Sequence, residues 1–167
     1  CRGAFVCPFT ITRIPHGAPE HDPVFAAAQD LDVPLAIHPT FEPPAWNVHH
    51  RYDRFGWAVW YFDLFAGQGV QQAFATFFQL GVFERFPALK VVFVEPGLGW
   101  VAWWLDAIDD MAQRQRYDYP AITDLPSEYF RRNMFLTFME EPRSVQLLRD
   151  RLGVTNIMWA SDYPHPP

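Results

Sequence analysis

The stretch KVVFVEP, residues 90–96, decides the fold. Its apolar run, residues 91–94, has no polar face, so it reads as a strand covered on both sides. A strand covered in that way belongs to a parallel sheet, whose crossover helices lie on its faces. Similar short runs occur outward in both directions, in GAFVCP (3–8), PLAIHP (34–39), NMFLTF (133–138) and NIMWAS (156–161). Helical patterns separate them. DPVFAAAQDLD (22–32) is expected to start with Asp22 as its N-cap and Pro23 at the first helical position. GVQQAFATFFQLGVFERFP (69–87) carries Phe74, Phe77, Phe78 and Phe83 mostly on one side. WVAWWLDAIDDMAQRQR (100–116) and PRSVQLLRDRL (142–152) complete the set. Residues 40–66 are too long for an ordinary connection and read as a functional loop with some local helix.

This β-α-β-α alternation predicts an α/β fold with a parallel sheet and helical crossovers. Two architectures satisfy it. An open doubly wound sheet, the home of many nucleotide binders, is opposed by the lack of a glycine-rich phosphate loop; EPGLGW (95–100) lacks the third glycine. A (β/α)8 barrel of the TIM type needs about 250 residues. In that architecture the chain is a single partial domain, residues 1–167, holding strands four to eight. The opening CRGAFVCPFT has no initiator Met, and the last strand has no helix after it, so truncation at both ends is expected.

Composition removes several function classes. Half of the 167 residues are apolar and only 19% are charged, which excludes a disordered chain. Aromatic residues make up 17%, enough for a deep core and an aromatic-lined pocket. A net charge of −6 without any cluster of Lys and Arg argues against nucleic acid and against anionic membrane surfaces. No apolar run reaches the roughly 18 residues that span a bilayer. Cys1 and Cys7 lack metal-knuckle spacing and read as thiols of a reducing compartment, so a cytoplasmic location is expected.

Candidate chemistry lies at the strand ends. His38 closes PLAIHP, Glu95 closes KVVFVEP and Asp162 follows NIMWAS. Parallel strands end on one face of the sheet, so these side chains can converge there. Imidazole nitrogen and carboxylate oxygen suit a divalent metal with an open position for water. Asp162 is then both a ligand and an acceptor of the water proton, and Glu95 either a general acid/base or a third ligand. Taken singly, each has an ordinary alternative in loop hydrogen bonding or turn formation. Their placement on successive strand ends favours the site.

Three segments, VPLAIHP, LKVVFVEPGLGWVAWWLDAID and NIMWASDYPH, resemble the amidohydrolase-related family, which includes aminocarboxymuconate semialdehyde decarboxylase and related metal-dependent hydrolases. The resemblance implies a distorted (β/α)8 barrel with one divalent metal, usually zinc and sometimes manganese. It makes His38 the metal-binding histidine after the fifth strand and Asp162 the ligand and proton carrier after the eighth. His165 would orient Asp162 or the substrate. Where the family's decarboxylases carry a catalytic histidine, this chain has Glu95, which bears against a decarboxylation that uses an imidazole there. The first-strand His-x-His or Glu-x-His pair is absent.

VHHRY (48–52) has the wrong spacing for two ligands on one strand face, so His49, His50 and Arg51 are assigned to substrate contact or to surface. Arg51 is the candidate for holding a substrate carboxylate. Trp100 is a candidate pocket wall, whereas Trp103 and Trp104 suit core packing or a subunit interface such as that of a homodimer. The leading expectation is a metal-dependent hydrolase acting on a small carboxylated or cyclic substrate. A non-oxidative decarboxylase is the alternative, and an inactive fragment or assembly module the third.

Overall fold

The computed structural model describes residues 2–40, 68–118 and 120–164. In chain order these form β1 (Ala4–Val6), α1 (Asp22–Asp30), β2 (Leu35–Ile37), α2 (Gly69–Gln79), α3 (Val82–Arg85), β3 (Val91–Phe93), α4 (Gly99–Arg114), α5 (Pro126–Asn133), β4 (Met134–Phe138), α6 (Pro142–Leu152) and β5 (Ile157–Trp159), with short 3-10 turns between some of them. The strands make one parallel sheet in the order β1-β2-β3-β4-β5. That sequential order separates the two architectures left open by the sequence. A doubly wound sheet reverses its strand order at a switch point. Here every crossover advances in one direction, as along the wall of a barrel, so the fold is a partial barrel.

Burial agrees with a wall. Leu35, Ile37, Val91, Phe93, Met134 and Leu136 are paired across the sheet on one face and are at most 2% exposed. The helices pack on this face, forming a single core with Phe25, Val70, Phe74, Phe77, Leu105 and Phe130. The opposite face carries Ala36, Val92 and Phe135, which are half-buried. KVVFVEP is therefore apolar on both faces, as expected, but among the described residues only one face is fully covered. The end strands are more open, with Phe5 62% and Trp159 68% exposed, so β5 is not the buried strand its sequence suggested. Sheet position overrides composition there.

Phe74 organises the core, meeting Phe78, Phe93, Trp100 and Trp104 edge-on at centroid separations of 4.9–5.2 Å. Trp104 thus takes the core role expected of it. Trp103 does not, standing 69% exposed on α4.

Local departures from the sequence reading have clear causes. The single helix expected over 69–87 is broken at Gly81, which adopts a left-handed φ of 63°. A Cβ there would lie 2.3 Å from the carbonyl oxygen of Ala121, so glycine is required. Helix α5 was not anticipated. It starts with Pro126 in its first turn, and the Glu128 carboxylate accepts the Leu125 N–H 2.8 Å away. Asp22 lies inside the first turn of α1 and makes no cap bond, correcting its expected role. Its carboxylate instead accepts Arg85 Nε and Nη2 at 2.9–3.2 Å, fastening α1 to α3.

Candidate active site

Because the sheet is wholly parallel, every strand delivers its carboxyl end to the same edge. His38 follows β2 directly, Glu95 comes two residues after β3, and Asp162 three residues after β5. Two of these meet: His38 Nε2 is 3.4 Å from Glu95 Oε2, with the side chains 28% and 13% exposed.

The His38 ring is held from its other side. Nδ1 lies 2.5 Å from the carbonyl oxygen of Pro39, which can only accept, so Nδ1 carries a proton and donates it. That leaves Nε2 as the ring nitrogen facing Glu95. The ring also packs against Phe5, centroids 5.6 Å apart.

Glu95 sits in a left-handed conformation, φ 57°, which is sterically unfavourable for a residue with a Cβ. Neighbouring groups hold it there. Its N–H donates to Thr137 Oγ1 at 2.8 Å, and the preceding Val94 N–H bonds to the Ile37 carbonyl at 2.8 Å. Downstream, the Leu98 N–H donates to Glu141 Oε2 at 2.8 Å, and the Trp100 indole N–H donates to the Pro96 carbonyl at 2.7 Å. The turn EPGLGW is thus pinned by side chains of β4, of the loop after it and of α4. Backbone strain maintained by surrounding contacts is common at functional sites.

Asp162 is half-buried and shares the unusual backbone, with φ 56°. Among the described residues, however, no three His, Cys, Asp or Glu side chains gather closely enough to hold a metal ion. The structure brings His38 to Glu95 and does not join Asp162 to them in one such group. Arg51 and His165, together with His49 and His50, lie outside the described residues. Trp100 is half-buried with its ring against Phe74. Cys7 is an exposed free thiol.

Thr137 and Glu141 were missed by sequence reasoning. A signal was present, since LTFMEEP (136–142) ends a strand with polar residues just as the other three segments do. Two surface cavities, of about 410 and 520 Å3, include none of His38, Glu95 and Asp162 in their lining; one is lined by Arg13, His16 and Thr76, the other by Phe138, Val145 and Arg149. Among the described residues no helix is long and apolar enough to cross a membrane.

The donor set is compatible with a divalent metal: an imidazole with its second nitrogen anchored, facing a carboxylate, at the barrel face where such enzymes work. Comparison with known proteins defines the class. Residues 9–167 match the family model described as Amidohydrolase, and the chain belongs to that family. It is 27% identical over 149 residues to the γ-resorcylate decarboxylase of Polaromonas sp. (strain JS666 / ATCC BAA-500), covering 85% of this chain and 43% of that protein.

Among solved structures, it is similar to 5-carboxyvanillate decarboxylase from Sphingomonas paucimobilis, at 28% identity and TM-score 0.76, over 99% of this chain and 49% of that one. It also shares the fold of a dihydroxybenzoic acid decarboxylase from Polaromonas sp. JS666, solved with bound manganese and the inhibitor 2-nitroresorcinol (23% identity, TM-score 0.71, 98% and 50% coverage). The chain spans about half the length of the relatives it matches. The first two of these are decarboxylases, which agrees better with the alternative reading of the sequence than with the hydrolytic one placed first.

Proposed function

We propose that this chain supplies part of the active site of a metal-dependent, non-oxidative decarboxylase acting on a hydroxylated aromatic carboxylic acid. The observation that carries the reading is the anchored ring of His38: Nδ1 is committed to Pro39, and Nε2 is presented at the strand-end edge against a carboxylate. The similarity to γ-resorcylate and 5-carboxyvanillate decarboxylases supports the reaction and the substrate class. His38 and Asp162 would hold the metal, with manganese and zinc the first ions to test. When bound, it would supply positive charge to position an anionic substrate and stabilise charge developing on it.

In this reading Asp162 carries the proton. The bond from ring carbon to carboxylate breaks, carbon dioxide leaves, and the electron pair stays on the ring carbon, which takes the proton. Arg51 as carboxylate holder, Trp100 as pocket wall and His165 as the group that orients Asp162 belong to the same proposal.

The test is to incubate the protein, loaded with Mn2+ or Zn2+, with γ-resorcylate and 5-carboxyvanillate and to measure carbon dioxide release. A parallel panel of lactones and amides reads hydrolysis. Release is expected to disappear with a chelator and to fall about 10²–10⁴-fold in Asp162→Asn, the usual cost of losing a positioned proton carrier. Hydrolysis without carbon dioxide, or turnover indifferent to the chelator, would overturn the proposal.

A further inference from the structure

We infer that Glu95 is a metal ligand, bound beside His38 to the same divalent cation. The inference rests on the metal-dependent reading above and goes beyond it in giving the carboxylate after β3 a place in the coordination sphere. Its starting point is the atoms that face each other. Nδ1 of His38 donates to the Pro39 carbonyl, so Nε2 is the ring nitrogen left to face Glu95 Oε2. An imidazole nitrogen and a carboxylate oxygen come this close when positive charge stands between them. That charge is either a second ring proton or a metal ion.

Distance separates the two. A charged N–H to carboxylate hydrogen bond closes to about 2.7–2.9 Å. The observed separation is 3.4 Å, longer than such a bond. Two donors each about 2.1 Å from one ion stand about 3.0 Å apart at a right angle and about 3.4 Å apart at the tetrahedral angle. The pair is therefore spaced as two neighbouring ligands. Imidazole nitrogen with carboxylate oxygen is a donor set that zinc and manganese both accept.

The backbone supports the assignment. Glu95 is held at φ 57° by a bond from its N–H to Thr137 Oγ1, and Thr137 is only 9% exposed. The carboxylate is itself mostly buried, at 13% exposure. Among the described residues, the His38 ring is the one cationic or potentially cationic group that forms an ion pair with it. A mostly buried carboxylate held on a strained backbone against one imidazole is costly unless a cation completes it. Thr137 is then a positioning residue for this ligand.

Cobalt(II), whose visible absorption reports its ligands, is the probe. The protein is titrated with Co2+, and the affinity and spectrum are recorded for wild type, E95A and E95H, with thermal melting to establish that each variant is folded. E95A is expected to bind Co2+ at least 100-fold more weakly, more than the 10–100-fold typical of a residue acting behind a ligand. E95H is expected to keep binding and to shift the absorption bands, because nitrogen replaces oxygen beside His38. T137V should weaken binding about 10-fold and T137S restore it, as expected of a group that orients a ligand.

Wild type that takes up neither Co2+ nor Mn2+ would overturn the metal-dependent reading itself. Wild type that binds while folded E95A binds equally well, with an unchanged spectrum, would overturn this inference alone. Loss of binding in both folded E95A and folded E95H would also overturn it, assigning Glu95 to charge balance of His38.

Discussion

Two glutamates, eleven residues apart in sequence, show how this chain uses one functional group for opposite purposes. Glu84, on α3, is surrounded by donors. Its Oε1 accepts the Thr123 N–H at 2.8 Å, the Thr123 hydroxyl at 2.5 Å and the Tyr129 hydroxyl. Those bonds, with the Thr123 hydroxyl foremost and Tyr129 second, hold its carboxyl below the usual carboxylate range. Tyr129 is shifted the other way: burial raises its phenol, and the bond to the Glu84 carboxylate raises it further. Glu95 instead sits on a strained backbone and faces a single imidazole nitrogen, Nε2 of His38, at 3.4 Å. A carboxylate surrounded by donors closes a structural joint, whereas one with a single imidazole partner is where the inferred cation would bind.

If the Glu84 joint is structural, its largest failure is in packing. Tyr129 is 1% exposed, stacks on Phe83 at 6.1 Å, carries the Arg132 guanidinium 5.0 Å from its ring centre, and accepts the Thr123 and Asp124 N–H groups at 3.0 Å. Tyr129→Ala is expected to cost about 3–5 kcal/mol, measured by denaturant unfolding, through cavity formation and the loss of these partners. Tyr129→Phe, which keeps the ring, should cost about 1–2 kcal/mol. Equal losses in the two variants would mean that the hydroxyl, and not the packing, carries the joint.

The next effect depends on pH. A carboxyl held low in the folded state contributes stability above its unfolded pKa and loses that contribution as pH falls through the folded value. Wild type should therefore lose stability on acidification below about pH 4.5, near the ordinary carboxylate range, more steeply than Glu84→Gln. Glu84 is exposed, so the difference at neutral pH should be only about 1 kcal/mol and should shrink in high salt. Parallel thermal melts from pH 3 to 7 read it. Identical acid limbs in the two proteins would remove Glu84 from the structural side of the comparison.

The two sites also differ in how far sequence reveals them. Strand runs and amphipathic helices were legible because local periodicity reports burial directly, and the polar ends of those strands singled out His38 and Glu95. Sequential strand order was not legible, since a doubly wound sheet has the same alternation of elements. Helix α5 escaped because PSEYFRRN is mostly polar, although Pro126 and Glu128 marked its start. Thr137 and Glu141 act across the edge on a turn some forty residues away, a relation no local pattern contains. Nor does sequence show that Glu95 and Asp162 adopt a backbone suited to glycine. The third dimension also limits the reading, for Asp162 lies at the expected edge without forming a three-residue group with His38 and Glu95.

That unusual backbone gives the smallest predicted effect and the clearest contrast, because its sign is reversed. At φ 57° a Cβ is unfavourable by about 1–2 kcal/mol, while glycine adopts this conformation freely but loses more chain entropy on folding. Glu95→Gly should therefore raise stability by about 0.5–1 kcal/mol while weakening metal binding and decarboxylation. Removal of the Glu84 side chain has no such compensation: Gly or Ala there leaves Tyr129 and Thr123 without their acceptor. Denaturation midpoints measured without added metal isolate the folding term from any ligand linkage. If Glu95→Gly proved destabilising under those conditions, the Glu95 carboxylate would be contributing stabilising contacts of its own. The opposition between the two glutamates would then fail. A gain in stability together with a loss of metal affinity would mean that Glu95 is kept at a cost to the fold, which is the signature of a residue retained for what it binds.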